Sequence, residues 1–228
     1  MRRTPRATCF SLALCAVASL AHAQILVYDF GTSDAATNTP SFVASHISAD
    51  RFTSRTGTPT LNDTSPVSKI SGGSGGEFLT ANYWRSTDGN YYCFTVTPTP
   101  GYQVAVTGIS FNYLVTSSGP TSVSLLSSTN NYTIALTGNL SLTKAGSTPG
   151  TVDWHPATSS ITATFTTPTT FRLTGTGASS WAGAFRIDDF KLFGAVTAIP
   201  EPSTYAAICG AIALGGAAWR RRRRRHPA

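Results

Sequence analysis

Hydrophobic and polar residues alternate with a period of two along most of the chain. In Ile161-Thr162-Ala163-Thr164-Phe165-Thr166, Ile161, Ala163 and Phe165 share one face and the threonines the other, the pattern of a half-buried β-strand. Comparable runs occur at 25–30, 91–97, 102–106, 108–115, 122–126, 132–136, 170–174 and 184–193. They are rich in Val, Ile, Thr, Tyr and Phe, side chains that fit a pleated surface. Pro98-Thr99-Pro100-Gly101, Ser118-Gly119-Pro120, Thr148-Pro149-Gly150 and Gly175-Thr176-Gly177 supply turns between them. No window of the body holds a three-to-four-residue apolar period over ten residues. The expectation is all-β: an antiparallel β-sandwich of jelly-roll-like type over residues 24–196.

In the last run the alternation slips, and informatively. Phe185 and Ile187 share one parity, whereas Phe190 and Leu192 share the other. A β-bulge at Asp188-Asp189 would produce this slip by inserting one residue into the ladder. Val27-Tyr28-Asp29-Phe30-Gly31 at the start of the body and Phe185-Arg186-Ile187-Asp188-Asp189-Phe190 at its end loosely resemble the opening and closing strands of extracellular jelly-roll modules, including carbohydrate-binding modules. The resemblance implies that the first and last strands are neighbours. It also implies a structural calcium held by Asp29, Asp188 and Asp189, which backbone oxygens would complete to six to eight ligands. No other cofactor is expected.

Charge changes meaning once it is located. The formal net charge is +7 over 228 residues, but nine of the seventeen Lys and Arg lie at 2, 3, 6 and 220–225. Eight remain between 24 and 199, against nine of the ten acidic residues, so the body is near neutral. A body without a clustered basic face does not neutralise phosphates, which excludes nucleic acid as a partner. Of four cysteines, Cys9 and Cys15 are near the N-terminus, Cys209 is near the C-terminus, and only Cys93 is in the body. An intradomain disulfide is therefore excluded, and the core must hold the fold alone.

Both ends read as targeting segments. Met1 to Arg6 is basic, Cys9 to Leu20 is an apolar run of twelve residues, and Ala21-His22-Ala23 is a small-x-small pattern. These are the three parts of a secretory signal peptide over 1–23, with signal peptidase cutting between Ala23 and Gln24. The C-terminal segment, 197–228, carries Pro200-Glu201-Pro202, then an apolar stretch from Tyr205 to Trp219, then Arg220, Arg221, Arg222, Arg223, Arg224 and Arg225. In order and spacing it closely resembles the PEP-CTERM sorting signal. The resemblance implies an exosortase, a multi-pass membrane protease or transpeptidase, cutting near Pro200-Glu201-Pro202 after export.

Physical chemistry agrees with each part of that signal. The prolines keep the chain extended ahead of the helix. A short transmembrane helix is expected over about 203–219; its fifteen apolar residues reach about 22 Å, slightly short of a hydrocarbon core. The arginines would stop transfer and keep the C-terminus in the cytoplasm. The chain is thus expected at the inner membrane transiently, then at the cell surface or in the extracellular matrix.

Catalytic patterns are weak by comparison. Gly72-Gly73-Ser74-Gly75-Gly76 matches G-x-S-x-G, but that elbow needs a strand before it and a helix after it. A flexible loop is the better reading. His46 and His155 lack metal-ligand spacing, and Cys93 is expected as a small buried hydrophobe. Tyr83, Trp84, Trp154 and Trp181 are the candidates for an exposed sugar-stacking platform. The sequence reads as a non-enzymatic structural or adhesive surface protein. A module binding extracellular polysaccharide remains open as an alternative, and a secreted hydrolase as a more distant one.

Overall fold

The computed structural model describes residues 23–32, 35–36, 38–55, 67–69, 77–81, 90–144, 154–180 and 183–224. Most of the expected signal segment, including Ala21, lies outside this set, as do Gly72 to Gly76, Tyr83, Trp84, Trp181 and Arg225. In chain order the strands are β1 (Ala23–Tyr28), β2 (Gly31–Thr32), β3 (Ala35–Ala36), β4 (Phe42–Val43), β5 (Ile47–Ala49), β6 (Thr53–Arg55), β7 (Val67–Lys69) and β8 (Glu77–Ala81). Then follow β9 (Tyr91–Pro98), β10 (Tyr102–Val115), β11 (Ser122–Ser127), β12 (Leu140–Ser141), β13 (His155–Phe165), β14 (Thr169–Thr176) and β15 (Phe185–Ala198). The helix α1 (Pro202–Arg224) comes last.

The strands form two antiparallel sheets and a small β2-β3 ribbon. The first sheet runs β13-β10-β15-β1-β4, with β8 on the start of β15 and β7 on β8. The second runs β12-β11-β14-β9-β5, with β6 also on β9. First and last strands are neighbours, β1 lying against β15. The expected cleavage point, Ala23 and Gln24, is the exposed start of β1. Two expected strands, 102–106 and 108–115, are one, because Thr107 is absorbed as a bulge within β10.

The period-two pattern becomes a sandwich core shared by both sheets. In β9 Tyr92, Phe94 and Val96 are buried while Tyr91, Cys93 and Thr95 are only half-buried. In β14 Phe171 and Leu173 turn inward. They meet Tyr28, Phe111, Phe185 and Phe190 from the first sheet in one hydrophobic cluster. Phe190 is its hub: ring centroids of Phe52 and Phe94 lie 5.1 Å away, Phe111 6.1 Å and Tyr28 6.4 Å. Buried phenols find main-chain acceptors, as their polarity requires: Tyr92 donates to the Phe185 carbonyl and Tyr28 to that of Asp50 at 2.5 Å.

The parity slip in the last strand is present. Ser110 faces Lys191 and Asn112 faces Asp188, so Asp189 and Phe190 stand opposite Phe111 alone. Asp189 adopts a left-handed φ of 51°. Across the same pair, Thr107 is the extra residue between Val106, which faces Gly194, and Gly108, which faces Phe193. The two bulges sit on opposite strands and their offsets cancel. Near the Thr107 bulge the backbones come so close that a Cβ on Gly194 would stand 2.1 Å from the Ala105 carbonyl oxygen, which only glycine avoids.

Phe190→Ala is expected to cost about 3 to 5 kcal/mol, since it opens a cavity where both sheets meet. Phe193→Ala, on the half-buried parity of the same strand, should cost markedly less. Urea unfolding of the two variants checks the difference.

Candidate ligand-binding groove

The outer face of the second sheet carries a groove of about 570 Å³. Alternation builds it: each residue that β9 and β14 do not bury must point to the other face. The pairing sets Arg172 opposite Cys93, Thr170 opposite Thr95 and Thr174 opposite Tyr91, and β6 adds Thr53 beside Cys93. Thr95 and Thr170 share a hydroxyl hydrogen bond of 3.0 Å. Asp50 and Arg51 enter from the turn between β5 and β6, where the Asp50 amide donates to the Thr95 carbonyl at 3.0 Å. Buried Phe52, whose amide donates to the Asn38 carbonyl, anchors that turn.

Tyr132 completes the groove from a region expected to be a strand. Residues 132–136 instead follow the 3-10 turn Ser128–Asn130, with Asn131 and Tyr132 at φ of 54° and 59°. Local polar side chains compete with the ladder here: Thr133 Oγ1 donates to the Asn130 carbonyl at 2.6 Å, and Asn130 Nδ2 to the Ile134 carbonyl at 3.0 Å. The turn brings the Tyr132 ring to 3.5 Å from the Arg172 guanidinium carbon, and the Tyr91 ring is 4.5 Å away. Such cation–π contacts are worth about 0.5 to 2 kcal/mol each.

Cys93 is corrected by the same alternation. It is half-buried and lines the groove, with its Sγ 3.1 Å from Thr53 Oγ1. Of the expected aromatic platform, Trp154 is half-buried at the start of β13, away from the groove lining. His46 is exposed in a turn and stacks on Tyr102 at 3.9 Å; half-buried His155 lies 5.6 Å from the Tyr113 ring.

The bulge in β15 distributes the expected calcium ligands. Asp188 turns inward and is only 7% exposed, Asp189 is half-buried, and Asp29 is exposed. Asp189 Oδ2 accepts from Asn112 Nδ2 at 3.3 Å, and the Asp189 amide donates to Asp188 Oδ1 at 2.8 Å. Among the described residues no group of three or more His, Cys, Asp or Glu is arranged to hold a metal ion. The expected set of Asp29, Asp188 and Asp189 is not found as such a group: Asp188 is buried in the sandwich, whereas Asp189 is half-buried and Asp29 exposed. Burial, then the nearby charges of Asp189 and Asp29, raises the Asp188 pKa to about 7, opposed by the Asp189 amide and Lys191.

At the C-terminus, Pro200 and Glu201 are exposed in the irregular segment between β15 and α1, and α1 begins at Pro202 and runs through five of the six arginines. Ile212, Leu214 and Trp219 are 71, 74 and 59% exposed. Among the described residues no helix, α1 included, is long and apolar enough to cross a membrane, so the transmembrane helix expected over about 203–219 is not shown.

No family model matches the chain, and no curated protein matches it. Solved structures overlap it at low similarity. The CBM22-1 xylan-binding domain of Paenibacillus barcinonensis Xyn10C is 12% identical with a TM-score of 0.41, covering 78% of this chain and 97% of that one. The tandem CBM22-1-CBM22-2 domain of the same protein is 13% identical with a TM-score of 0.41, covering 82% of this chain and 50% of that one. The K1 cleaved adhesin domain of Lys-gingipain from Porphyromonas gingivalis W83 is 12% identical with a TM-score of 0.38, covering 77% and 98%. At these scores neither ligand nor activity passes from them to this chain.

A raised carboxyl pKa means that the folded state holds a proton which the unfolded chain has already released. Stability should therefore fall as pH rises from about 4 to about 7 and level off above that. Asp188→Asn keeps an acceptor for the Asp189 amide and removes the charge. It should flatten that slope and stabilise the protein at pH 8 by roughly 2 kcal/mol, measured by thermal melts across the pH range.

Proposed function

We propose that this chain is an exported surface or extracellular-matrix protein whose tail is sorted and cleaved by an exosortase and whose sandwich is a non-catalytic binding or adhesive module. The observation that carries the reading is the order at the C-terminus: an exposed Pro200-Glu201 outside any strand or helix, a helix beginning at Pro202, and arginines closing that helix. The closed antiparallel body supports the rest. Its surface groove is polar and aromatic, the composition of a binding face.

The helix suits transient use. Its exposed apolar residues, Ile212, Leu214 and Trp219, need an apolar surrounding, yet its Ala and Gly content makes it a weak anchor. The arginines compensate, because each costs roughly 2.5 to 3.5 kcal/mol at a helix centre and several together halt passage. In this reading the secretion machinery and signal peptidase act at residues 1–24, the exosortase acts near Pro200-Glu201-Pro202, and the body stays outside.

Intact mass of the protein recovered from the cell surface should lack residues beyond about Glu201; full-length tails there would overturn the sorting assignment. Replacing Arg220 to Arg225 with serine should release an uncut soluble form into the periplasm, while the melting temperature of the sandwich stays unchanged. Retention and processing at the normal rate would show that the arginines are not the stop.

A further inference from the structure

We propose that the groove on the outer face of the second sheet binds a carboxylate-bearing sugar, with Arg172 as the group that grips the carboxylate. This deepens the reading of the sandwich as a binding module and rests on it. Arg172 is half-buried, and among the described residues its buried Nε has no hydrogen-bond partner. A guanidinium stays charged at every physiological pH, and a charge withdrawn from water without a counter-charge is costly. Its contacts are the rings of Tyr91 and Tyr132, which hold it but do not neutralise it.

Geometry selects what can. With its central carbon 3.5 Å from the Tyr132 ring centre, the guanidinium is packed over the ring face, while its N–H bonds lie in its own plane. A planar fork held in this way matches a carboxylate, which it grips with two parallel hydrogen bonds. The rest of the lining suits a sugar ring and not a fatty-acid tail. Thr53, Thr95 and Thr170 offer hydroxyls, Asp50 accepts from ring hydroxyls, and Arg51 adds a second positive charge. A lipid chain would need an apolar channel, whereas this lining is a mixture of hydroxyls, charges and ring edges.

Calorimetric titration with trigalacturonate tests the assignment, using neutral galactotriose and sulfated galactotriose as comparisons. The protein is the full chain with Arg220 to Arg225 replaced by serine, so that the arginine run does not compete for acid. Trigalacturonate should bind about tenfold or more tightly than the neutral trisaccharide, with affinity falling as salt rises. Arg172→Lys keeps the charge but loses the planar fork, and Tyr132→Ala removes the ring over which it packs. Each should weaken binding about tenfold with little change in melting temperature. Equal affinity for the neutral sugar, binding of the sulfated sugar alone, unchanged affinity in Arg172→Lys, or no binding at all would overturn the proposal. Cell fractionation reads the surface assignment separately, so a surface-located protein indifferent to the carboxylate would leave that reading standing and remove only this one.

Discussion

The sandwich depends on a one-residue slip in its last strand. β15 sits between β10 and β1 at the centre of the first sheet and must face the same core along its whole length. Phe185 and Ile187 face inward at its start. A strand of unbroken parity would then bury Asp189 and Lys191 and push Phe190 and Leu192 into solvent. The bulge reverses the parity, and Phe190 becomes the ring around which Phe52, Phe94, Phe111 and Tyr28 assemble. A local backbone irregularity thus decides which side chains make the core.

Its consequences spread along both neighbouring strands. β10 carries an extra residue at Thr107, so the ladder regains its register beyond both bulges and the paired strands keep equal reach. Among the described residues the buried Thr107 hydroxyl has no hydrogen-bond partner, and Gly194 must stay free of a side chain where the backbones converge. Asp188 bears the electrostatic cost. Its carboxyl is drawn inward with the slip and holds its proton to near neutral pH. The acids that first suggest a cation site are, among the described residues, one buried carboxyl with two acidic neighbours and no metal-holding group.

The outer face of the second sheet follows from the same alternation. Burying Tyr92, Phe94, Phe171 and Leu173 leaves Tyr91, Cys93, Thr95, Thr170 and Arg172 on the opposite side, where neighbouring strands set them in rows. The left-handed turn at Asn131-Tyr132 adds the final ring and converts a flat polar surface into a groove. Both features to which a function is proposed, the groove and the tail, thereby lie outside the core, the first on the face of a sheet and the second beyond its last strand.

Strand periodicity, turn residues and the near-neutral body are local properties, so the sequence alone determined the all-β class, most strand positions, the bulge and the motifs of the tail. Each is read from residues a few positions apart, where side-chain alternation or composition acts directly. Pairing was decided by tertiary structure, because it joins residues such as Cys93 and Arg172 that lie far apart in the chain. Arg172 was legible only as an outward position of a strand, and nothing near Tyr132 in sequence signals that a left-handed turn carries its ring onto a guanidinium from another strand. Cys93 was misread for the same reason: its apolar neighbours suggested burial, but only the packing of the two sheets established which parity of β9 was the inside. The burial of Asp188 beside half-buried Asp189 also required three dimensions, since it follows from where the bulged strand meets the core.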